Sequence, residues 1–337
     1  MKAVALTRYL PVADPEALID VELHDPIPGP RDLLVRVKAI SVNPVDTKVR
    51  APKDKLETKP KVLGWDAAGV VEQVGEAVSR FRPGDEVYYA GSITRPGCNS
   101  ELHLVDERIV GAKPTRLSFA EAAALPLTTI TAWEALFERL GIDVQGEQAG
   151  QSLLLIGAAG GVGSIGIQLA NLAGLTVIAT ASRPETRALV EKLGADHVVD
   201  HRQPLSTGLR QLGFVAVDYI ANFVDTDSYW NPMAELIRPE GRIVSIVDNV
   251  HPVALNLLKS KSVTFAWESM FTKSMFETPN MSSQGKLLDE VALLVDSGTI
   301  QSTVTEVLEP INAANLREAH RRIESHKTIG KIVLAGW

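Results

Sequence analysis

The chain offers its clearest chemistry where an apolar strand runs into a turn of small residues. Leu153-Leu154-Leu155-Ile156 leads into Gly157, followed by Ala158, Ala159, Gly160, Gly161, Val162 and Gly163. Backbone N–H groups at the start of the helix that follows can face a pyrophosphate, and the helix dipole favours its negative charge. Small side chains let a nucleotide come close. The pattern departs from G-x-G-x-x-G, because Ala158 holds the first position and Gly157 lies one earlier. The strand-helix-strand that comes next supplies the context for dinucleotide binding, against the competing reading of a turn that serves only the fold.

The choice of nucleotide is made where the second strand ends. An NAD site usually places a carboxylate there to accept from the ribose 2′-hydroxyl. Here Val177-Ile178-Ala179 is followed by Thr180, Ala181, Ser182 and Arg183, and no acid is offered. Ser182 and Arg183 could donate to a 2′-phosphate, with Arg187 one helical turn further on, and this points to NADPH. The alternative takes both arginines as ordinary solvated helix residues. His201, beyond the third strand, is expected to be solvated or to face the adenosine, and Asn222 and Lys327 complete the expected cofactor-binding set.

These residues need a scaffold, and the chain alternates strands and helices to make one. Strands are expected at Ser152–Ile156, Thr176–Thr180, His197–Asp200, Val215–Ile220, Arg242–Val247 and Val263–Trp267, with helices at Gly163–Ala173, Pro184–Leu193 and Tyr229–Ile237 between them. That alternation predicts right-handed crossovers and a doubly wound parallel sheet. Before it lies a region of strands without helices: Lys2–Thr7, Ile19–Leu23, Leu33–Ile40, Val70–Val74 and Glu86–Ala90, punctuated by turns such as Arg82-Pro83-Gly84-Asp85. Helical spacing begins at Phe119–Ala124 and Thr131–Leu140. After Trp267 come a Met- and Phe-bearing stretch, a helical run over Leu287–Asp296 and a last strand at Lys331–Leu334. Two domains follow for 337 residues: a barrel-like one over 1–124 that the chain rejoins at 268–337, and a nucleotide-binding one over 125–267.

Composition narrows the partners. A net charge of -7 works against nucleic acid and anionic membranes. No apolar run is long enough to span a bilayer, and the N-terminal stretch is unlike a signal peptide, so the expected location is the cytoplasm. The single cysteine, Cys98, excludes an internal disulfide framework and a multi-cysteine zinc cage; it reads as a small loop residue rather than a nucleophile.

Taken together, Asn43-Pro44-Val45-Asp46-Thr47, Gly64-Trp65-Asp66-Ala67-Ala68-Gly69-Val70-Val71, Pro83-Gly84-Asp85-Glu86-Val87, the turn Gly157–Gly163 and the ending Gly330-Lys331-Ile332-Val333-Leu334 resemble the medium-chain dehydrogenase/reductase superfamily, within it the quinone oxidoreductase branch. Trp267-Glu268 and Pro310–Leu316 are similar to the subgroup of zinc-type alcohol dehydrogenase-like proteins. The resemblance implies a Rossmann-type domain inserted into a GroES-like β-barrel substrate domain. Zinc-dependent relatives carry Cys where this chain has Asn43 and His-Glu where it has Trp65-Asp66, and the third ligand position, near Pro126 to Thr129, holds no Cys or His. No metal site is therefore expected.

The resemblance also implies that Asn43, Asp46, Tyr89 and Thr129 to Thr131 lie near the cleft between domains. Asn43 could donate to a developing oxyanion and Thr131 could fix the nicotinamide carboxamide; equally, an Asn before Pro often makes a turn, and Thr131 could cap or pack a helix. The expected activity is hydride transfer from NADPH to a quinone or enone without zinc. The alternatives are an NADPH-binding protein with little turnover, or the alcohol dehydrogenase of the relatives' label. A homodimer is expected through Val263–Trp267, an outer strand with a pairing edge, unless the Met-Phe stretch covers that strand or closes the active site.

Overall fold

The computed structural model describes residues 1–337 and separates into two compact units, Met1–Ile130 with Phe271–Trp337, and Thr131–Met270. The crossing points fall at Ile130/Thr131 and Met270/Phe271, rather than at the 124/125 and 267/268 expected from pattern alone.

The first unit opens with β1 (Lys2–Tyr9), β2 (Ile19–Glu22) and β3 (Asp32–Ser41), then a short helix α1 (Pro44–Arg50). There follow β4 (Lys53–Val62), β5 (Ala67–Val74), β6 (Glu86–Tyr89), β7 (Leu102–Asp106) and β8 (Val110–Ala112), before α2 (Phe119–Ala123) and α3 (Pro126–Trp133). Ser118 caps α2 through the Glu121 N–H, while Glu121 accepts from the Ser118 N–H, a reciprocal box. The expected helix over Thr131–Leu140 starts earlier, as α3, and its second half winds as a π-helix over Glu134–Arg139.

The second unit carries β9 (Ser152–Ile156), α4 (Gly161–Leu172), β10 (Thr176–Thr180), α5 (Pro184–Lys192), β11 (His197–Val199), α6 (Leu205–Gln211), β12 (Val217–Asn222), α7 (Thr226–Leu236), β13 (Ile237–Ser245) and β14 (Thr264–Trp267). Its six strands pair in parallel in the order β11-β10-β9-β12-β13-β14. The order reverses beside β9, the position where a doubly wound sheet opens a ligand crevice at its carboxyl ends. The central β9 is buried along its whole length, as a strand covered on both faces must be. Leu154, Ile178, Ile220 and Ile243 pack with Trp230 and Met233 of α7 to form the core on one face.

The chain then returns to the first unit with α8 (Thr272–Met275), α9 (Ser283–Asp296), β15 (Val304–Leu308), α10 (Ala313–Glu324) and β16 (Lys331–Ala335). That unit holds a three-stranded sheet, β2-β1-β4, and a seven-stranded one in which β3 pairs with β5 on one side and with β7 and β16 on the other. Phe271, at the start of the Met-Phe stretch, packs edge-on against Trp65, ring centroids 6.1 Å apart. The stretch is thus part of this unit and shields its buried indole. No helix is long and apolar enough to cross a membrane.

Candidate active site

Three strand ends meet because β3 runs antiparallel to both of its neighbours. Ser41 closes β3 opposite Val333 of β16, and Ile40 stands opposite Ala67 of β5. Asn43, Asp66 and Lys331, separated by up to 288 residues, therefore converge. All three are buried, and Asp66 and Lys331 face each other with Nζ 3.2 Å from Oδ2. Lys331 donates also to the Val42 carbonyl at 3.1 Å and to Asn43 Oδ1. Asn43 in turn donates through Nδ2 to Asp66 Oδ2 at 3.0 Å and, more distantly, to the Ser41 carbonyl. The Leu127 N–H, in the first turn of α3, completes the set at 3.0 Å from Asp66 Oδ1.

Three donors face Asp66, and they oppose the burial that disfavours its charge. Burial raises its pKa above the ordinary carboxylate range and lowers that of Lys331 below the ordinary amine range; each partner opposes the other's shift. Next to them Asp46 accepts from the Asn43 N–H at 2.6 Å through Oδ2, while its Oδ1 has no hydrogen-bond partner. Burial pushes this carboxyl up to about 7, against the Asn43 N–H and the Lys331 charge. The Gly64 N–H favours its charge as well.

Trp65 and Asn43 are both engaged in contacts within the protein. Trp65 spends its indole N–H on the Ser92 carbonyl at 3.1 Å, and an ammonium already sits between Asn43 and Asp66. A zinc ion, which takes three or four N, S or O donors in a tetrahedron, does not fit a set built around a lysine. No group of three His, Cys, Asp or Glu side chains is placed to hold a metal. Cys98 is buried and its thiol, pushed up by that burial, donates to the Asp66 carbonyl.

Tyr89 ends β6 fully buried, its ring stacked on His103 and its hydroxyl 3.1 Å from His103 Nδ1. Thr131 is buried in α3 as the first residue of the second unit, and Thr129, on the same helix, keeps a buried hydroxyl without a partner. Sequence had offered Asn43 as a free donor. In the structure both of its amide hydrogens are directed into the buried cluster.

In the second unit the turn after β9 has the geometry of a phosphate cradle. Gly157 takes φ +84°, its N–H donates to Thr180 Oγ1 at 3.1 Å, and α4 begins at Gly161. A Cβ at Gly163 would lie 2.4 Å from the Gly157 carbonyl and 2.5 Å from that of Ala158. Backbone cannot give way there, so glycine alone lets the helix close on the turn. Ala158, Ala159, Gly160 and Val162 line the same turn and first helical residues. The end of β10 presents Ser182 and Arg183: Ser182 Oγ is 3.3 Å from His201 Nε2, and Arg183 Nε lies 3.8 Å from Glu185 Oε1. Burial, with the Arg202 and Arg183 charges behind it, lowers the His201 pKa. Arg187 follows one turn along α5, half-buried. Asn222 is buried at the end of β12 and donates to Ser245 Oγ and the Asp225 carbonyl, organising that strand end. Lys327 belongs to the first unit, exposed in the turn after α10.

Two features escaped the sequence reading. One is Lys331, which had entered only as part of a terminal pattern. The other is Glu268, which had entered only beside Trp267 in a family pattern and whose Oε2 lies 2.8 Å from Arg139 Nε in the second unit. Burial and the neighbouring Glu134 side chain raise the Glu268 pKa, against Arg139.

Residues 29–133 match the model of the alcohol dehydrogenase GroES-like domain and residues 193–334 that of the zinc-binding dehydrogenase. A zinc-type alcohol dehydrogenase-like protein of Staphylococcus epidermidis is 42% identical over 99% of both chains. A Rhizobium etli protein, provisionally described as a zinc-dependent alcohol dehydrogenase, is 51% identical with TM-score 0.96, covering 100% of this chain and 98% of its own. Escherichia coli quinone oxidoreductase, solved with NADPH, is 27% identical with TM-score 0.84 over 99% of this chain and 100% of its own. The chain belongs to the medium-chain dehydrogenase/reductase superfamily of pyridine-nucleotide oxidoreductases.

Proposed function

We propose that the protein is a zinc-independent, NADPH-dependent reductase of quinones or enones. The observation that carries this is the Lys331 ammonium lodged between Asn43 and Asp66, in the place where a zinc-dependent relative would gather metal ligands. Without a metal, nothing in the cluster activates a plain alcohol, whereas a conjugated carbonyl needs only a hydride and a proton. Bound NADPH would supply the hydride. The pyrophosphate would rest on the turn Ala158–Gly163, Ser182, Arg183 and Arg187 would hold the 2′-phosphate, and His201 would flank the adenosine. Asn222 would shape the strand end beside the nucleotide, Lys327 would add a cation, and Thr131 would fix the carboxamide.

Asn43 is then a positioning residue, oriented by Lys331 and orienting Asp46 through its N–H, with Tyr89 held by His103. Asp46 would hold the proton that completes reduction, because its free Oδ1 and raised pKa keep it partly protonated near pH 7. Its acid form predominates below about 7. We expect kcat to fall as pH rises through that value, and Asp46→Asn to lose about 10²-fold in kcat together with this limb of the profile. A variant that keeps the wild-type pH profile removes Asp46 from the reaction. Folding gives a second readout. A carboxyl raised from 3.8 to about 7 on folding makes stability fall as pH rises between those values, and Asp46→Asn should abolish that slope.

The reading is tested by following NADPH and NADH oxidation with a panel of small quinones, enones, aldehydes and alcohols. Turnover of quinones or enones with NADPH preferred supports it. Tight NADPH binding with no turnover favours a binding protein, and turnover confined to alcohols favours the label of the relatives.

We also propose a homodimer joined through β14, the last strand of its sheet, whose Trp267 is 45% exposed. Phe265 is unsuited to testing this, because it packs against Trp230 with ring centroids 5.1 Å apart. Light scattering should give about twice 36.4 kDa, reduced by Trp267→Lys. A wild-type mass near 36.4 kDa would sink the dimer.

A further inference from the structure

The first unit contains a cavity of about 480 Å³, inside the range of roughly 300–1,000 Å³ usual for small-molecule sites. Its walls are apolar, with Leu23, Val62, Leu102 and Leu104 among them, and its rim carries Lys59 and Lys61. No aspartate or glutamate lines it, although the chain as a whole has a net charge of -7. Two other cations stand at the wall and both are paired: Arg95 with Asp32, bidentate at 2.8 and 3.0 Å, and the Met1 terminal ammonium with Asp25 Oδ1 at 2.9 Å. Neither Lys59 nor Lys61 makes a close ion pair; Glu57, on the same strand, is hydrogen-bonded to Lys55 and the Tyr9 hydroxyl and feels the Lys61 charge only at longer range.

The floor is neutral. His103 has both ring nitrogens engaged, by Tyr89 Oη and the Pro96 carbonyl, and burial lowers its pKa to about 4. An occupant therefore meets an apolar body, an uncharged floor and two unpaired ammonium groups at one end.

We propose that this cavity is a second small-molecule site, distinct from the nucleotide and hydride chemistry, and that it takes an amphipathic organic anion: a carboxylate on a short hydrocarbon body. The hydrocarbon fills the apolar walls and Lys59 and Lys61 hold the headgroup. The competing account is that the lysines only protect the exposed edge of β4 from pairing, in which case they have no ligand preference.

Titration calorimetry with sodium decanoate, decanol and decyltrimethylammonium, each with saturating NADPH present, separates the two. We expect decanoate to bind at one site per chain while the cation does not. The double variant Lys59→Gln, Lys61→Gln should weaken decanoate by about tenfold or more with decanol little affected, as expected for the loss of charge-assisted contacts. Its thermal unfolding checks that the fold is kept. No heat with millimolar decanoate, equal binding of the cation, unchanged affinity in the double variant, or displacement of decanoate by NADPH would each overturn the proposal.

Discussion

Replacing Lys331 with methionine should cost about 3–5 kcal/mol of stability, the usual consequence of leaving one member of a buried ion pair without its partner. Asp66 is fully buried and has only Asn43 and the Leu127 N–H besides Lys331 to offset its charge. Asn43 loses the cation that fixes its Oδ1, so activity should fall with stability. Replacing both charges tests the cause: Lys331→Met with Asp66→Asn should recover most of the loss, because no charge is then stranded. Urea denaturation of the wild type and both variants at pH 7 checks this. A loss below about 1 kcal/mol for Lys331→Met, in the range of an exposed pair, would show that the cluster is not held by its ion pair.

Arg183→Ala should weaken NADPH by about one to two decades and leave NADH almost unchanged, since a charge-assisted contact is worth roughly 1.5–3 kcal/mol. The end of β10 supports this choice: Ser182, Arg183 and His201 gather there. Asp200, the carboxylate after β11, is committed to Arg202 at 2.6 Å, which holds its pKa down to about 2. Fluorescence titration of both nucleotides provides the measurement. Equal weakening of NADH would remove Arg183 from the 2′-phosphate.

What could be read in the sequence was local. The turn from Gly157 to Gly163 announces itself because strand, turn and helix are contiguous, and the alternation that follows dictates the parallel sheet with Val263–Trp267 at its border. The helix α1 was missed although its signals were there: Asn43 precedes Pro44 at the first helical position and Asp46 stands three residues on. Reading Asn-Pro as a turn outweighed them. The strand β4 was hidden by its composition, since Lys53, Lys55, Lys59, Lys61 and Pro60 suit only an edge. The helix α10 is mostly polar, and only its Asn312 cap, accepting from the Asn315 N–H, marks its start.

The cluster itself was beyond reach of pattern. Asp66 and Lys331 lie 265 residues apart, and their meeting depends on β3 lying between β5 and β16. A lysine at the start of a terminal strand carries no local sign that it will be buried. Arg139 and Glu268 are also far apart in the chain, and they meet through a π-helix that periodicity read as an ordinary helical run.

The proposed reaction is reduction by NADPH without zinc, with the Lys331 ammonium held between Asn43 and Asp66. The most direct test measures zinc per chain and NADPH-driven quinone or enone turnover on one sample, before and after exhaustive chelation. We predict well below one zinc per chain and turnover unchanged by the chelator. Stoichiometric zinc that leaves together with the activity, and restores it when returned, would contradict the account.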